Sequence, residues 1–229
     1  MPARNIVHIV GSGVKRHNGS MASGVIPLFP LEVVVFPRTV LPLHIFEDRY
    51  KKMVTAAIAD SSEFGVVLAK ADGIVNVGCT VAVEKLVHTY ADGRMDILTR
   101  GSRRFEVGAI DQEQDVLRAE VRYFDDDDFS PVPAELRQQA IAYFEEMCKL
   151  ASARGRGEAN LSDPQISFQL AQDLPDPDFL HSLLRQRSET GRLKELNQYF
   201  SRYVPRQQRI ERVKAIAPTN GFAGKQPGH

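Results

Sequence analysis

Hydrophobic positions along the chain change period several times, and each change predicts an element. Residues 26–58 set the frame: IPLFPLEVVVFPRTVLPLHIFEDRYKKMVTAAI. Pro27, Pro30, Pro37 and Pro42 interrupt its first half, so no long helix can pass through residues 26–43. Short extended pieces are expected instead, over Val25–Phe29, Val33–Phe36 and Val40–Ile45, with each proline at a strand start, edge or bulge. Phe46, Tyr50, Met53, Val54, Ala57 and Ile58 then fall on one face of an amphipathic helix. Glu47 and Asp48 in its first turn, followed by Lys51 and Lys52, suit the helix dipole.

Period two follows. Phe64–Ala69 reads as a buried strand, and Lys70–Gly73 as a turn. Alternation over Thr80–Tyr90 and Met95–Arg100, with Asp92-Gly93 between, predicts a hairpin closed by a primed turn. Gly101 marks a bulge or corner; Arg103–Ile110 and Leu117–Tyr123 add two strands, and Asp125–Asp128 ends the last. Short strands, one early helix and glycine at the corners predict a compact β-barrel.

From Pro131 the period is helical. Leu136, Ala140, Ile141, Phe144, Met147, Cys148 and Ala151 form one stripe, and Arg154–Gly157 reads as a loop. Asp163-Pro164 is expected to cap and open a short helix reaching Asp173. Leu174-Pro175-Asp176-Pro177 stops it and caps the next, with Phe179, Leu180, Leu183 and Leu184 buried. Leu193, Leu196, Phe200 and Tyr203 form a last stripe ended by Val204-Pro205. The expected division is a flexible leader at 1–24 (Met21 being a second candidate start), a β part at 25–128, a helical part at 129–205 and a basic, partly disordered tail at 206–229.

Charge adds local detail only. The 29 basic and 29 acidic residues cancel. Residues 111–128 nevertheless carry a local net of −6 and residues 185–214 one of +6, read first as solvated surface. Cys79 and Cys148 form no CxxC, which removes a cysteine-based zinc site and suits a reducing cytoplasm. No apolar run approaches the roughly 20 residues of a membrane span, so no membrane association is expected.

IPLFPLEVVVFPRTVLPLHIFEDRY, FGVVLA, VGC, DGRMDILTRGSRRF with Gly101 and Arg104-Phe105, and the Asp163-Pro164 helical part together resemble the Lon protease N-terminal, substrate-binding domain. The PLHIFEDRY form is most similar to stand-alone bacterial members. The resemblance implies a PUA-like β-barrel with one inserted helix and a C-terminal helical bundle. It also implies recognition of unfolded or extended polypeptide in protein quality control, or service as an adaptor for proteolysis.

No GxxxxGK[ST] is present, so no P-loop ATPase is expected; Gly221–Lys225 has neither the spacing nor the hydroxyl. No following segment is expected to hold the Ser–Lys proteolytic domain. The six histidines, His8, His17, His44, His88, His181 and His229, include no zinc-helix pair or HExxH, and no serine has a GxSxG setting. The chain is therefore expected to be a non-enzyme without cofactor or metal. His44 is expected to be a hydrogen-bonded structural or interface residue.

Candidate polypeptide-binding residues are Phe29, Phe36, Phe46 and Tyr50, each of which core packing would also explain. The alternative is a PUA-like RNA binder using Arg202, Arg206, Arg209, Arg212 and Lys214, disfavoured because Tyr199, Phe200 and Tyr203 mostly fit the core stripe. A third option is docking on a protease or chaperone through the acidic 111–128 face.

Overall fold

The computed structural model of the chain describes residues 9–10, 23–150 and 159–216. The elements are β1 (Ile9–Val10), β2 (Ser23–Leu31), β3 (Val40–Ile45), α1 (Asp48–Asp60), β4 (Phe64–Lys70), β5 (Gly73–Thr89), β6 (Met95–Asp111) and β7 (Arg118–Tyr123). There follow α2 (Ala134–Leu150), α3 (Ile166–Ala171), α4 (Pro177–Arg185) and α5 (Glu189–Ile216). The loop expected at 154–157 and the tail beyond 216 lie outside the described residues. Within the segment read as a leader, Ile9–Val10 pairs in parallel with Ile74–Val75 of β5.

Several expectations change. Val33–Phe36 is not a strand; at its end a tight turn takes the Phe36 backbone groups, where Thr39 Oγ1 accepts from Phe36 N–H and donates to Phe36 O, at 3.2 and 2.9 Å. Arg38 sits in that turn at φ 62°. The β5–β6 hairpin closes without a primed turn, since of its loop residues only Gly93 has positive φ, at 82°. Gly93 N–H donates to Tyr90 O, and Tyr90 N–H to Arg94 O, both at 2.9 Å, which is a type I turn with a glycine bulge. β5 and β6 each run unbroken for 17 residues; Gly78 and Gly101 stay paired in the ladder, and its register shifts fall between Cys79 and Val81, Val83 and Lys85, and Leu86 and His88.

α5 passes through Pro205, where the helix was expected to stop. Leu193, Leu196, Phe200 and Val204 are fully buried on one face and hold the helix in register across it. Pro205, Ser201 and Arg202 are exposed, so water can take the Ser201 carbonyl that the ring leaves without a donor.

The seven strands lie in the order β1-β5-β4-β2-β7-β6-β3, with a further pairing between β5 and β6. The pairings β5–β4–β2–β7–β6 therefore return to β5. One buried cluster, Leu28, Val67, Ile74, Phe105, Val107, Ala119 and Val121, draws on all five of those strands. β2 changes partner midway, antiparallel to β7 over Ser23–Pro27 and parallel to β4 over Leu28–Leu31. This division explains its two prolines. Leu28 N–H donates to Leu117 O at 2.7 Å, so strand alternation turns Pro30 the same way, beyond the last pair with β7. Pro27 faces the β4 side one residue before that ladder begins.

The second and larger cluster runs from the strands through α1 into α2, α3, α4 and α5, so the strands and the helices share a core. At their junction Phe36 stacks on Phe168 with ring centres 4.8 Å apart. Arg38 grips Asp163 with two bonds of 2.7 and 2.8 Å. Asp163 therefore does not cap a helix; it is buried, accepts from Gln165 N–H, and α3 begins at Ile166.

Deeper in, Arg104 and Arg192 both hold Asp126, at 2.7 and 2.6 Å. Arg192 also holds Glu189 at 2.8 Å, and Ser167 joins through its N–H and hydroxyl. Arg104 spans to the Leu184 and Gln186 carbonyls. Asp126, read as part of a solvated acidic run, is thus an internal anchor.

Burial pushes the Asp126 carboxyl up, but the Arg192 guanidinium, Gln165 and Arg104 outweigh it and hold it at about 2. Burial, with Arg185 and Lys70 nearby, takes the His181 imidazole down to about 4, and its Nε2 has no hydrogen-bond partner. Both groups bind protons more readily in the unfolded chain, so each favours the fold at neutral pH. Stability is expected to fall first as pH drops from 6.5 towards about 4, through His181, and again from 3.8 towards about 2, through Asp126. Urea midpoints at neutral pH, near pH 5 and near pH 3 check this; no decline between neutrality and pH 5 would contradict the His181 contribution.

Candidate functional site

β3 is an edge strand whose partner among the described residues is β6. Gly101 N–H donates to Thr39 O, and the register continues Val40↔Arg100, so Leu41, Leu43 and Ile45 turn their backbone groups to β6. Val40, Pro42 and His44 turn theirs outward, where Pro42 costs no ladder bond.

A cleft of about 600 Å³ opens between the ends of β2 and β3. Phe29, Pro30 and Leu31 form one wall, Leu43 to Glu47 another, and Gln112 to Asp115 with Leu117 a third, while Arg49 and Tyr50 enter from α1. Phe29 and Tyr50 are its floor, with ring centres 4.2 Å apart and Phe64 behind Phe29 at 6.3 Å. Their exposures are 7% and 6%, against 61% for Phe46. Phe46 stands out because α1 starts only at Asp48: Glu47 is extended at φ −76°, ψ 135°, which takes Phe46 off the helical stripe where it was expected. Ile58, at the other end of that stripe, is also exposed.

The four candidate aromatics divide accordingly. Phe29, Phe46 and Tyr50 share the cleft. Phe36 does not join them; it is 0% exposed and belongs to the junction core, so it offers no surface to a ligand. Leu31, Leu43 and the 112–117 wall were missed, and only the period-two alternation of β3 could have pointed to Leu43.

Charge on the rim is largely paired. Arg49 binds Glu47 at 2.7 Å and lies 4.5 Å over the Tyr50 ring, whose phenol burial pushes up. His44 Nδ1–H donates to Asp96 at 2.6 Å, and the Tyr90 hydroxyl donates to its other oxygen at 2.8 Å. Those two donors, His44 first, hold the Asp96 carboxyl below its usual range. The arrangement presents an apolar floor, an exposed ring and a strand edge at which Val40 and His44 offer both N–H and C=O but Pro42 only C=O. Among the described residues no group of three His, Cys, Asp or Glu side chains is placed to hold a metal, and no helix is long and apolar enough to cross a membrane.

A family model described as the ATP-dependent protease La (LON) substrate-binding domain matches residues 25–210. The crystal structure of a Lon N-terminal domain protein from Xanthomonas campestris superposes with a TM-score of 0.63 at 26% identity, covering 77% of this chain and 98% of that one. The N-terminal domain of Mycobacterium avium complex Lon protease superposes with a TM-score of 0.58 at 19% identity, covering 79% and 100%, and supports the fold alone. The matched module is a non-catalytic part of the protease. On the extent of that match and the shared mixed α+β fold, the chain belongs to the Lon substrate-binding, N-terminal domain family.

Proposed function

We propose that the cleft receives an apolar side chain from an unfolded or extended polypeptide while the outward backbone of β3 meets its main chain. Main-chain pairing is indifferent to sequence, and a single apolar slot asks only for one greasy residue. Such tolerance suits a protein that recognises chains for quality control or delivers them to a protease. The observation that carries the reading is Phe46, 61% exposed beside the buried Phe29–Tyr50 floor. The returning strand pairings and their shared five-strand cluster support the PUA-like barrel as its scaffold, with residues 129–205 as the helical annex. Cys79 is buried with its thiol pushed up to about 12 by burial, which suits a structural role in a reducing cytoplasm.

Phe46→Ser tests this. Losing the buried part of a phenylalanine is expected to weaken binding of a reduced, alkylated model protein about tenfold or more. The melting temperature should barely move, because the ring lies on the surface. Fluorescence anisotropy at two salt concentrations measures both the affinity and its character. Unchanged affinity would remove the cleft from the function, and tight RNA binding that collapses with salt would favour the nucleic-acid class instead.

A further inference from the structure

A second groove, sharing no residue with the cleft, lies on the helical part between α4 and α5. It encloses about 680 Å³ and is lined by Asp176, Phe179, Glu195, Gln198, Tyr199, Arg202, Tyr203 and Arg206. From Glu195 to Arg206 these positions recur every three or four residues, on one face of α5. Phe179 and Tyr199 stack with centres 4.3 Å apart and planes 14° from parallel. Tyr203 continues the stack at 5.5 Å and 27°. Tyr199 and Tyr203 were read as belonging mostly to the core stripe; the structure leaves both half-buried beside exposed Arg202 and Arg206, while Phe200 is fully buried.

The chemistry of the groove selects its ligand. Rings stacked on one another have spent those faces, leaving edges and phenol oxygens for a guest. Ring edges carry positive partial charge. Arg202 and Arg206 reinforce it, and exposed Arg209 and Arg212 extend the positive field along α5. Two acids also line the groove and keep their charge, though each already accepts from a neutral donor: Asp176 caps α4 by accepting from Phe179 N–H at 3.0 Å, and Glu195 accepts from Gln186 at 2.8 Å. Burial first, then Asp176 and Tyr203, push the Tyr199 phenol up to about 12, so it stays a donor. Asp176 and Glu195 would still repel a continuous phosphodiester backbone. A polypeptide, with separate carboxylates and its own N–H donors, meets both signs.

We propose that this groove is a second binding site, taking an acidic polypeptide segment whose apolar side chain lies along the Phe179–Tyr199–Tyr203 shelf and whose carboxylates pair with Arg202 and Arg206. It goes beyond the cleft and stands independently of it.

The experiment uses the full chain, a short labelled peptide alternating leucine with glutamate, the same peptide with glutamine for glutamate, and a labelled single-stranded RNA. The glutamate peptide is expected to bind at least about tenfold more tightly than the glutamine peptide. R202E/R206E should weaken it by a similar factor at an unchanged melting temperature, R202Q/R206Q by less, and Tyr203→Ala should weaken both peptides. F46S should leave it untouched, which separates failure of this site from failure of the cleft. Equal affinity for the two peptides, indifference to the arginine reversal, or RNA binding more tightly than peptide and being lost in R202E/R206E would each overturn the proposal.

Discussion

Replacing Arg192 with methionine is expected to cost about 3–5 kcal/mol of folding stability, because it strips two carboxylates inside the fold of their counter-charge. Arg192 is fully buried and makes bonds of 2.6 Å to both oxygens of Asp126, 2.8 Å to Glu189, 2.9 Å to Ser167 and 2.7 Å to the Gln186 carbonyl. Its aliphatic volume is replaceable; its charge is not. Without it Glu189 loses its ion-pair partner while still buried, and Asp126 keeps only Arg104 as a counter-charge, with Gln165 as a neutral donor. At roughly 2–4 °C per kcal/mol for a chain of this size, the melting temperature should drop by about 10 °C. Combining R192M with E189Q should recover part of the loss, because Glu189 then needs no counter-charge, while Asp126 stays charged to pair with the buried Arg104. A single-variant loss below about 1 kcal/mol in urea titrations would mean that the cluster is solvated and structurally idle.

Gly101→Ala should be nearly as damaging, for a steric reason. A Cβ at Gly101 would lie 1.9 Å from the Phe36 carbonyl oxygen, 2.8 Å from its carbon and 3.3 Å from Val35 Cγ2. The obstacle is backbone, and that backbone is pinned. Arg38 N–H donates to Gly101 O at 2.7 Å, Gly101 N–H to Thr39 O at 2.9 Å, and Thr39 Oγ1 closes the turn on Phe36. Relieving one methyl therefore means dislodging the turn that carries Arg38 to Asp163. A loss of about 3 kcal/mol or more is expected in urea unfolding, at the upper end of what overpacking usually costs, because the obstacle is pinned backbone. Wild-type-like stability would show that the Phe36 turn yields freely.

Strand alternation and proline placement were enough to locate β4, β7, the β5–β6 hairpin and the helical second half. They were silent on what covers each face. Phe36 and Phe46 look alike in sequence, both aromatic beside a proline-broken strand, yet one meets Phe168 from far along the chain and the other meets solvent. Four consecutive aspartates announce an exposed run; that Asp126 turns inward depends on Arg104 and Arg192, which no local pattern joins to it. Pro205 obeys the rule for ending a helix in isolation and is overruled by the packing of Phe200 and Val204. The third wall of the cleft, Gln112 to Asp115 with Leu117, is the loop of the β6–β7 hairpin and meets the cleft only because β7 pairs with the distant β2.

The change of partner halfway along β2 also governs the order of events during synthesis. Its parallel partner β4 leaves the ribosome soon after it, but its antiparallel partner β7 is made only after the long β5–β6 ribbon. The first half of β2 thus emerges with no mate, and its last neighbours arrive late, a high-contact-order arrangement that slows folding. A nascent chain halted before Arg118 would carry an unsatisfied strand, the kind of sticky intermediate that other chains and chaperones compete to bind.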